Sequence, residues 1–135
     1  MADAVIFTLH EKPFAKQRPK WNRHSGTPYT PEETREYEKR VADEGRKHFS
    51  EPLKGPVRLR LAFYISPAKS WSQQKYQEHI GTPHAKPPDL DNLEKSIKDG
   101  LNGVAYADDA QVSYVEKWKV WGVKAQTVIS VEEIG

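Results

Sequence analysis

At 135 residues the chain fits one domain with a real hydrophobic core and is too short for two well-packed ones, so we expect a single domain over residues 1–135. Cysteine is absent, which excludes disulfides and thiolate metal sites, and no apolar stretch approaches the roughly 20 residues that span a bilayer, so we expect a soluble cytoplasmic protein without membrane contact. The formal net charge of +2 is small, but it is unevenly divided along the chain.

The first third of the sequence predicts one strand, one basic segment and one helix. Apolar residues alternate with smaller or polar ones from Val5 to Leu9, which predicts a strand with one buried face. The segment at about 11–29, called the basic arm below, is rich in proline, glycine and basic residues, and we expect it to be flexible. Thr30 resembles a helix N-cap with Glu33 completing a capping box, and this helix is expected to end near Phe49.

The middle of the sequence contains the cleanest strand pattern. Strict alternation from Val57 to Ile65 predicts the central strand of a sheet. The polar, proline-containing segment at about 67–88 then predicts a short helical turn around Trp71 followed by a mobile loop.

A second helix and two strands complete the predicted elements. From Asp89 the apolar residues recur every three or four positions, which predicts a helix that Asn102-Gly103 ends. A strand is predicted at 112–120; it turns at Gly122, and residues 125–131 form its return.

Carboxylates are unusually dense at the start of this second helix and shortly after it. Asp89 and Asp91 lie at the positive end of the helix dipole, and Asp108 and Asp109 follow in a short loop before a strand. Helix capping explains Asp89 alone but not the later pair. Because close carboxylates repel one another unless a cation lies between them, the pattern indicates a site for Mg²⁺ or Mn²⁺.

Two other carboxylate chemistries fit less well. A calcium loop opening at Asp89 would place Leu93 at a ligand position, Glu94 at the obligatory glycine and Gly100 at the closing glutamate. A glycosidase would leave Lys95 and the basic arm without a purpose. Phosphodiester hydrolysis explains the acids, the lysine and the basic arm together.

The charge distribution is also that of a protein that binds a polyanion. Five basic side chains lie between His10 and His24 against one acid, whereas Asp89–Asp109 contains six acids and two lysines. A basic segment and an acidic centre are expected when DNA is held beside bound cations, although ordinary solvated surfaces would look the same. The candidate DNA-binding residues are Lys16, Arg18, Lys20 and Arg23, together with Lys86, for which a plain surface role is the simpler interpretation.

One ordered set of motifs combines order, spacing and residue type over more than twenty positions: Asp89-Leu90-Asp91-Asn92-Leu93, Lys95, Asp99-Gly100-Leu101-Asn102 and Asp108-Asp109-x-Gln111-Val112. This set resembles the RusA family of Holliday-junction resolvases. With the predicted elements, the resemblance implies an α+β (mixed α/β) fold, in which a small mixed sheet of about four strands is flanked by two main helices. It also implies a homodimer, of a kind often found in prophages.

The resemblance further implies an activity and a site. The activity is Mg²⁺-dependent cleavage of four-way junctions by paired symmetric nicks that leave a 5′-phosphate, in DNA recombination and repair. By residue, the resemblance implies catalytic roles for Asp89, Asp91, Lys95 and Asp109 and metal ligation by Asp89, Asp91 and Asp109. Asp108 adjoins them, and whether Asp108 or Asp109 ligates directly is left open.

Two other functions remain open from the residues alone. A non-catalytic nucleic-acid binding module would use the acids for a structural cation or for helix capping. A metal-dependent nuclease acting on flaps, RNA or another branched substrate would differ only in what it cuts.

Overall fold

The structure, a computed structural model, describes residues 3–135, and four strands of this part of the chain form one mixed sheet. The sheet order is β1-β6-β4-β5, where β1 is Val5–Leu9, β4 is Val57–Ile65, β5 is Val112–Trp121 and β6 is Gln126–Glu133. Strand β4 pairs in parallel with β5 and antiparallel with β6, which in turn pairs antiparallel with β1. The predicted sheet of about four strands and its central strand are confirmed.

The return after Gly122 does not make a hairpin. Strand β6 runs back as the sequence predicts, but β4 lies between β5 and β6. Every residue of β4 from Leu61 to Phe63 is buried, as are Val57 and Leu59. A strand this apolar is stable only with a neighbour paired to each edge. Strand β4 therefore lies between β5 and β6, which do not pair with each other as a hairpin.

Two main helices cover one face of the sheet, which confirms the α+β fold. Helix α1 is Glu32–Arg46 and helix α3 is Leu90–Leu101. The core between the helices and the sheet consists of fully buried apolar side chains from both layers, among them Tyr37, Val41, Leu59, Leu61, Phe63, Leu93, Ile97, Leu101, Ile129 and Val131. Asn102 follows α3, and Gly103 has a φ of +80°, which favours glycine and ends the helix where the sequence predicts.

Helix α1 begins and ends differently from the prediction. Pro31 occupies the N-cap position with an extended backbone, no side chain caps the helix, and the capping box between Thr30 and Glu33 is absent. Proline has a fixed φ and needs no hydrogen-bond acceptor for its nitrogen, so it starts the helix without a capping side chain. The helix ends at Arg46, three residues before the predicted end, although Phe49 still donates its backbone N–H to the Gly45 carbonyl at 3.1 Å.

The first half of the basic arm is attached to the helices. The Phe14 ring lies 5.2 Å from the Tyr37 ring, the Lys16 N–H donates to the Asn92 carbonyl at 2.9 Å, and the Ser96 hydroxyl donates to the Phe14 carbonyl. The second half forms a small two-stranded ribbon of β2, Lys20–Trp21, and β3, Pro28–Tyr29. The segment therefore has a fixed base and an exposed tip.

The predicted loop at 67–88 contains a helix and a segment that follows the sheet edge. Helix α2, Gln73–His79, begins just after Trp71, and its N-cap Ser72 accepts a hydrogen bond from the Lys75 N–H at 3.1 Å. Residues 81–84 then exchange backbone hydrogen bonds of 2.8–3.0 Å with Lys119 and Trp121 of β5. No helix within residues 3–135 has both the length and the apolar character to cross a membrane.

Helices α1 and α3 approach closely at Gly100, and this contact yields a stability prediction. A Cβ atom at this position would lie 2.7 Å from the Val41 Cβ and 3.1 Å from the Glu38 carbonyl oxygen. We expect Gly100→Ala to lower the free energy of unfolding by about 1–3 kcal/mol through overpacking, although alanine has the higher helix propensity by about 1 kcal/mol. Urea unfolding measures this change, and a variant as stable as the wild type would show that the helices can move apart at no cost.

Candidate active site

Helix α3 presents its charged side chains on the side opposite to its apolar face. Leu93, Ile97 and Leu101 are fully buried against the sheet, and the charged residues fall between them at intervals of three or four. This spacing aligns five charged residues along one strip, of which two are exposed and three half-buried: Asp91, Lys95, Glu94, Lys98 and Asp99.

The 3-10 turn before β5, Asp109–Gln111, supplies the second wall of the site. The Asp108 carboxylate accepts a hydrogen bond from the Ala110 N–H at 3.1 Å, and the Gln111 side chain accepts one from the Asp108 N–H at 2.9 Å. Gln111 also donates to the carbonyls of Leu53 and Gly55 at 2.9 and 3.0 Å. Asp108 therefore caps the turn, and the anchored turn directs Asp109 toward α3.

These two walls enclose a pocket of about 190 Å³, called the acidic pocket below. Its lining is wholly charged and consists of Asp91, Glu94, Lys95, Lys98, Asp99 and Asp109. Burial raises the pKa of the neighbouring Tyr106, and the charges of Asp109, Asp99 and Glu94 raise it further. Four carboxylates and two lysines, Lys95 and Lys98, therefore share this small volume.

Lysine side chains neutralise most of this charge. Lys117 of β5 lies 2.5 Å from the Asp91 Oδ1 and 2.7 Å from the Glu94 Oε1, whereas Lys16 lies 2.9 Å from the Asp99 Oδ2. Partial burial lowers the pKa of Lys117, but its hydrogen bonds to the two carboxylates outweigh this effect and raise the pKa overall. The same hydrogen bond, followed by the charge of Lys117, lowers the pKa of Asp91.

The donor set fits a hard divalent cation, although the side chains stand in ion pairs. Four carboxylates line the acidic pocket, and carboxylate oxygens are the ligands that Mg²⁺ and Mn²⁺ prefer. As the side chains stand, no three carboxylate or imidazole groups of residues 3–135 converge on one point. The Asp91 Oδ1 and the Glu94 Oε1 already contact Lys117, so an ion ligated by these two oxygens would have to replace that ammonium.

The structure brings together three of the site residues that the sequence predicts. Asp91, Lys95 and Asp109 line one pocket, although the first and the last lie 18 positions apart in the sequence. Asp89 occupies the N-cap position of α3 with an exposed side chain that makes no cap hydrogen bond, and it does not line the pocket. Asp108 does not line it either. Metal ligation by Asp89 and Asp108 stays a prediction.

The predicted DNA-binding residues lie in three different surroundings. Lys16 pairs with Asp99 and with Glu38, at 3.2 Å, and so links α3 to α1. Arg18, Lys20 and Arg23 are exposed in the basic arm, where Trp21 and Tyr29 of the ribbon are exposed as well. Lys86 is exposed beside Trp71 and Lys75. Their contacts with DNA stay predictions.

Sequence reasoning missed part of the pocket. Glu94, Lys98 and Asp99 lie at helical spacing from Asp91 and Lys95, and this spacing could have assigned them to the same strip. Lys117 left no such signal, since its approach depends on the register of β5, which pairs Lys117 with Leu61 of β4.

The fold and the pocket together define a small α+β domain in which carboxylates line one pocket with Lys95, a lysine without an ion pair in the part of the chain that the structure describes. The sequence pattern of the endodeoxyribonuclease RusA family matches residues 11–132, so the chain belongs to this family of endodeoxyribonucleases. The match includes both walls of the acidic pocket and the whole of the basic arm.

Two relatives match at different lengths. The chain is 28% identical over 140 aligned positions to the uncharacterized protein YqaN of Bacillus subtilis (strain 168), and the match covers 98% of each protein. It is 32% identical over 82 positions to the crossover junction endodeoxyribonuclease rusA of Lactococcus phage r1t, which covers 58% of this chain and 56% of the phage protein.

Proposed function

We propose that this protein is a Mg²⁺-dependent endodeoxyribonuclease that resolves Holliday junctions by paired symmetric nicks in DNA recombination and repair. The observation that carries the proposal is the shared pocket of Asp91, Asp109 and Lys95 in a chain of the RusA family. The similarity to the phage protein, a crossover junction endodeoxyribonuclease, supports the choice of substrate.

The residues of the acidic pocket have distinct roles in this proposal. Asp91 and Asp109, which line the two walls of the pocket, would hold the cation, and Asp89 would join them if its exposed side chain turned toward the pocket. Mg²⁺, or Mn²⁺ in its place, supplies activation of a water and neutralisation of charge on the scissile phosphate when bound. Hydrolysis leaves a 5′-phosphate.

Lys95 is suited to bind the scissile phosphate. Lys98 pairs with Glu94 at 3.7 Å, and Lys16 and Lys117 pair with other acids of the pocket. Within residues 3–135, Lys95 forms no ion pair although it lines the pocket. An ammonium without a carboxylate partner can bind a phosphoryl oxygen without first breaking an ion pair, and there it stabilises the charge that develops in the transition state.

Paired nicks require two sites, and we propose a homodimer. The face of the sheet opposite the helices exposes Ile6, Tyr114 and Trp118. The ion pairs Arg58–Glu132 and Arg60–Glu116 lie on the same face of the sheet, so a symmetric dimer formed here would bury a mixed apolar and charged surface. The exposed tip of the basic arm, with Arg18, Lys20 and Arg23, would then bind phosphates of the junction arms.

Cleavage of matched substrates tests the proposal. A labelled four-way junction, a linear duplex and a flap of the same sequence are each incubated with the protein, with Mg²⁺ or with EDTA. We expect symmetric nicks in the junction alone, with Mg²⁺ alone. Cleavage of the flap instead would change the substrate, whereas binding of the junction without cleavage would identify a non-catalytic binding module.

A further inference from the structure

Lys117 enters the acidic pocket from the sheet, opposite the helix that carries the acids. Its strand is held by parallel pairing with β4 over the whole length from Val57 to Ile65. The side chain is 23% exposed, and its ammonium lies between Asp91 and Glu94 at 2.5 and 2.7 Å. The backbone therefore fixes the point from which this cation reaches the two carboxylates.

The other acids of the pocket have different neighbours. Asp99 pairs with Lys16, and Glu94 has Lys98 as a second partner at 3.7 Å. In the described part of the chain, Lys117 is the one basic residue that forms an ion pair with Asp91. The charge of the residue proposed to hold Mg²⁺ is thus neutralised by a single side chain from another element.

We infer that Lys117 is an internal counter-ion that competes with the divalent cation for Asp91. The inference rests on the proposed function, because it concerns the residue that competes with Mg²⁺ at the proposed metal site. Two cations cannot contact one carboxylate oxygen at hydrogen-bond and ligand distances without strong repulsion. Even at the other oxygen, Oδ2, the ion would lie close to the ammonium that Oδ1 binds and would repel it, so the ion pair is weakened and the apparent ion affinity falls.

Removing the charge of a competing lysine changes ion affinity in the direction opposite to that expected for a purely structural lysine. Until the ion arrives, Lys117 holds Asp91 and Glu94 together at one side of the pocket. A merely structural lysine would weaken ion binding when removed, since the acids would lose their arrangement. A competing lysine strengthens ion binding when removed. An ion pair at a partly exposed site corresponds to a factor of up to about five in an equilibrium constant.

Binding of Mn²⁺ in the absence of DNA, followed by the loss of the free-ion EPR signal, tests the inference. Lys117→Met keeps the aliphatic stem and removes the charge, and we expect a Kd about fivefold lower than that of the wild type. Lys117→Arg keeps the competing charge, and Lys124→Met removes one charge from the exposed turn between β5 and β6. Both controls should bind Mn²⁺ within about twofold of the wild type.

The possible outcomes are distinct. Equal or weaker Mn²⁺ binding by folded Lys117→Met would overturn the inference, and Lys117→Gln repeats the test if the methionine variant does not fold. If the wild type binds Mn²⁺, Asp91→Asn does not, and Lys117→Met behaves as the wild type, only the role of Lys117 is wrong. If no variant binds Mn²⁺, the metal site of the proposed function fails together with this inference.

Discussion

Replacing Asp91 by asparagine is expected to reduce junction cleavage at least about a thousandfold while junction binding persists or becomes tighter. The amide has nearly the shape of the carboxylate but cannot hold Mg²⁺ as a charged ligand, and the side chain is exposed, so the fold should not change. Removing a negative charge beside the DNA also lowers repulsion. Single-turnover cleavage and filter binding on the same labelled junction measure the two effects.

Asp43→Asn is the control for loss of charge, because Asp43 is an exposed residue of α1 with only local ion pairs. It should cleave at the wild-type rate. Cleavage by Asp91→Asn within tenfold of the wild type would refute the assignment of Asp91, whereas loss of both binding and cleavage would point to damage of the fold.

The second large effect is expected at Lys95. Lys95→Met should lower the cleavage rate about a hundredfold at saturating Mg²⁺, because one donor to developing phosphate charge contributes about two to three orders of magnitude in rate. Mn²⁺ affinity should change little, since Lys95 forms no ion pair with the acids of the pocket within residues 3–135. Cleavage rates over a Mg²⁺ titration separate these quantities.

Lys39→Met, on the exposed side of α1, provides a matched loss of one charge and should behave as the wild type. If Lys95→Met reached the wild-type rate at high Mg²⁺, the lysine would assist ion binding and not the phosphate. A rate within threefold of the wild type at every Mg²⁺ concentration would exclude Lys95 from the chemistry altogether.

Local patterns were sufficient to predict the main elements of the fold. The alternation from Val57 to Ile65 and the helical spacing from Leu90 to Leu101 report burial of one face, and the structure confirms both elements. The helix stop at Gly103 was predicted because a positive φ favours glycine.

Long-range features could not be predicted in the same way. Strand β4 separates β5 from β6 because the most apolar strand pairs with a neighbour on each edge. No local sequence pattern says which two strands those neighbours are. The same holds for the base of the basic arm, which looks like a loop in sequence but packs through Phe14 on Tyr37.

The candidate site also has a part that local sequence patterns predict and a part that depends on long-range structure. Asp91 and Lys95 belong to one helix face, so spacing and residue type were enough to group them. The distinction between Asp108 and Asp109 required the hydrogen bonds of the turn, where Asp108 caps and Asp109 lines the pocket. Lys117 required the pairing register of a parallel strand.

Anomalous scattering from a crystal grown with Mn²⁺ tests the central claim most directly. Binding of a divalent ion between the two walls of the acidic pocket predicts a manganese peak at ligand distance, about 2.0–2.2 Å, from a carboxylate oxygen of Asp91 and from one of Asp109. A peak elsewhere, or an acidic pocket without a manganese peak at a Mn²⁺ concentration that supports cleavage, would contradict the proposed catalytic site.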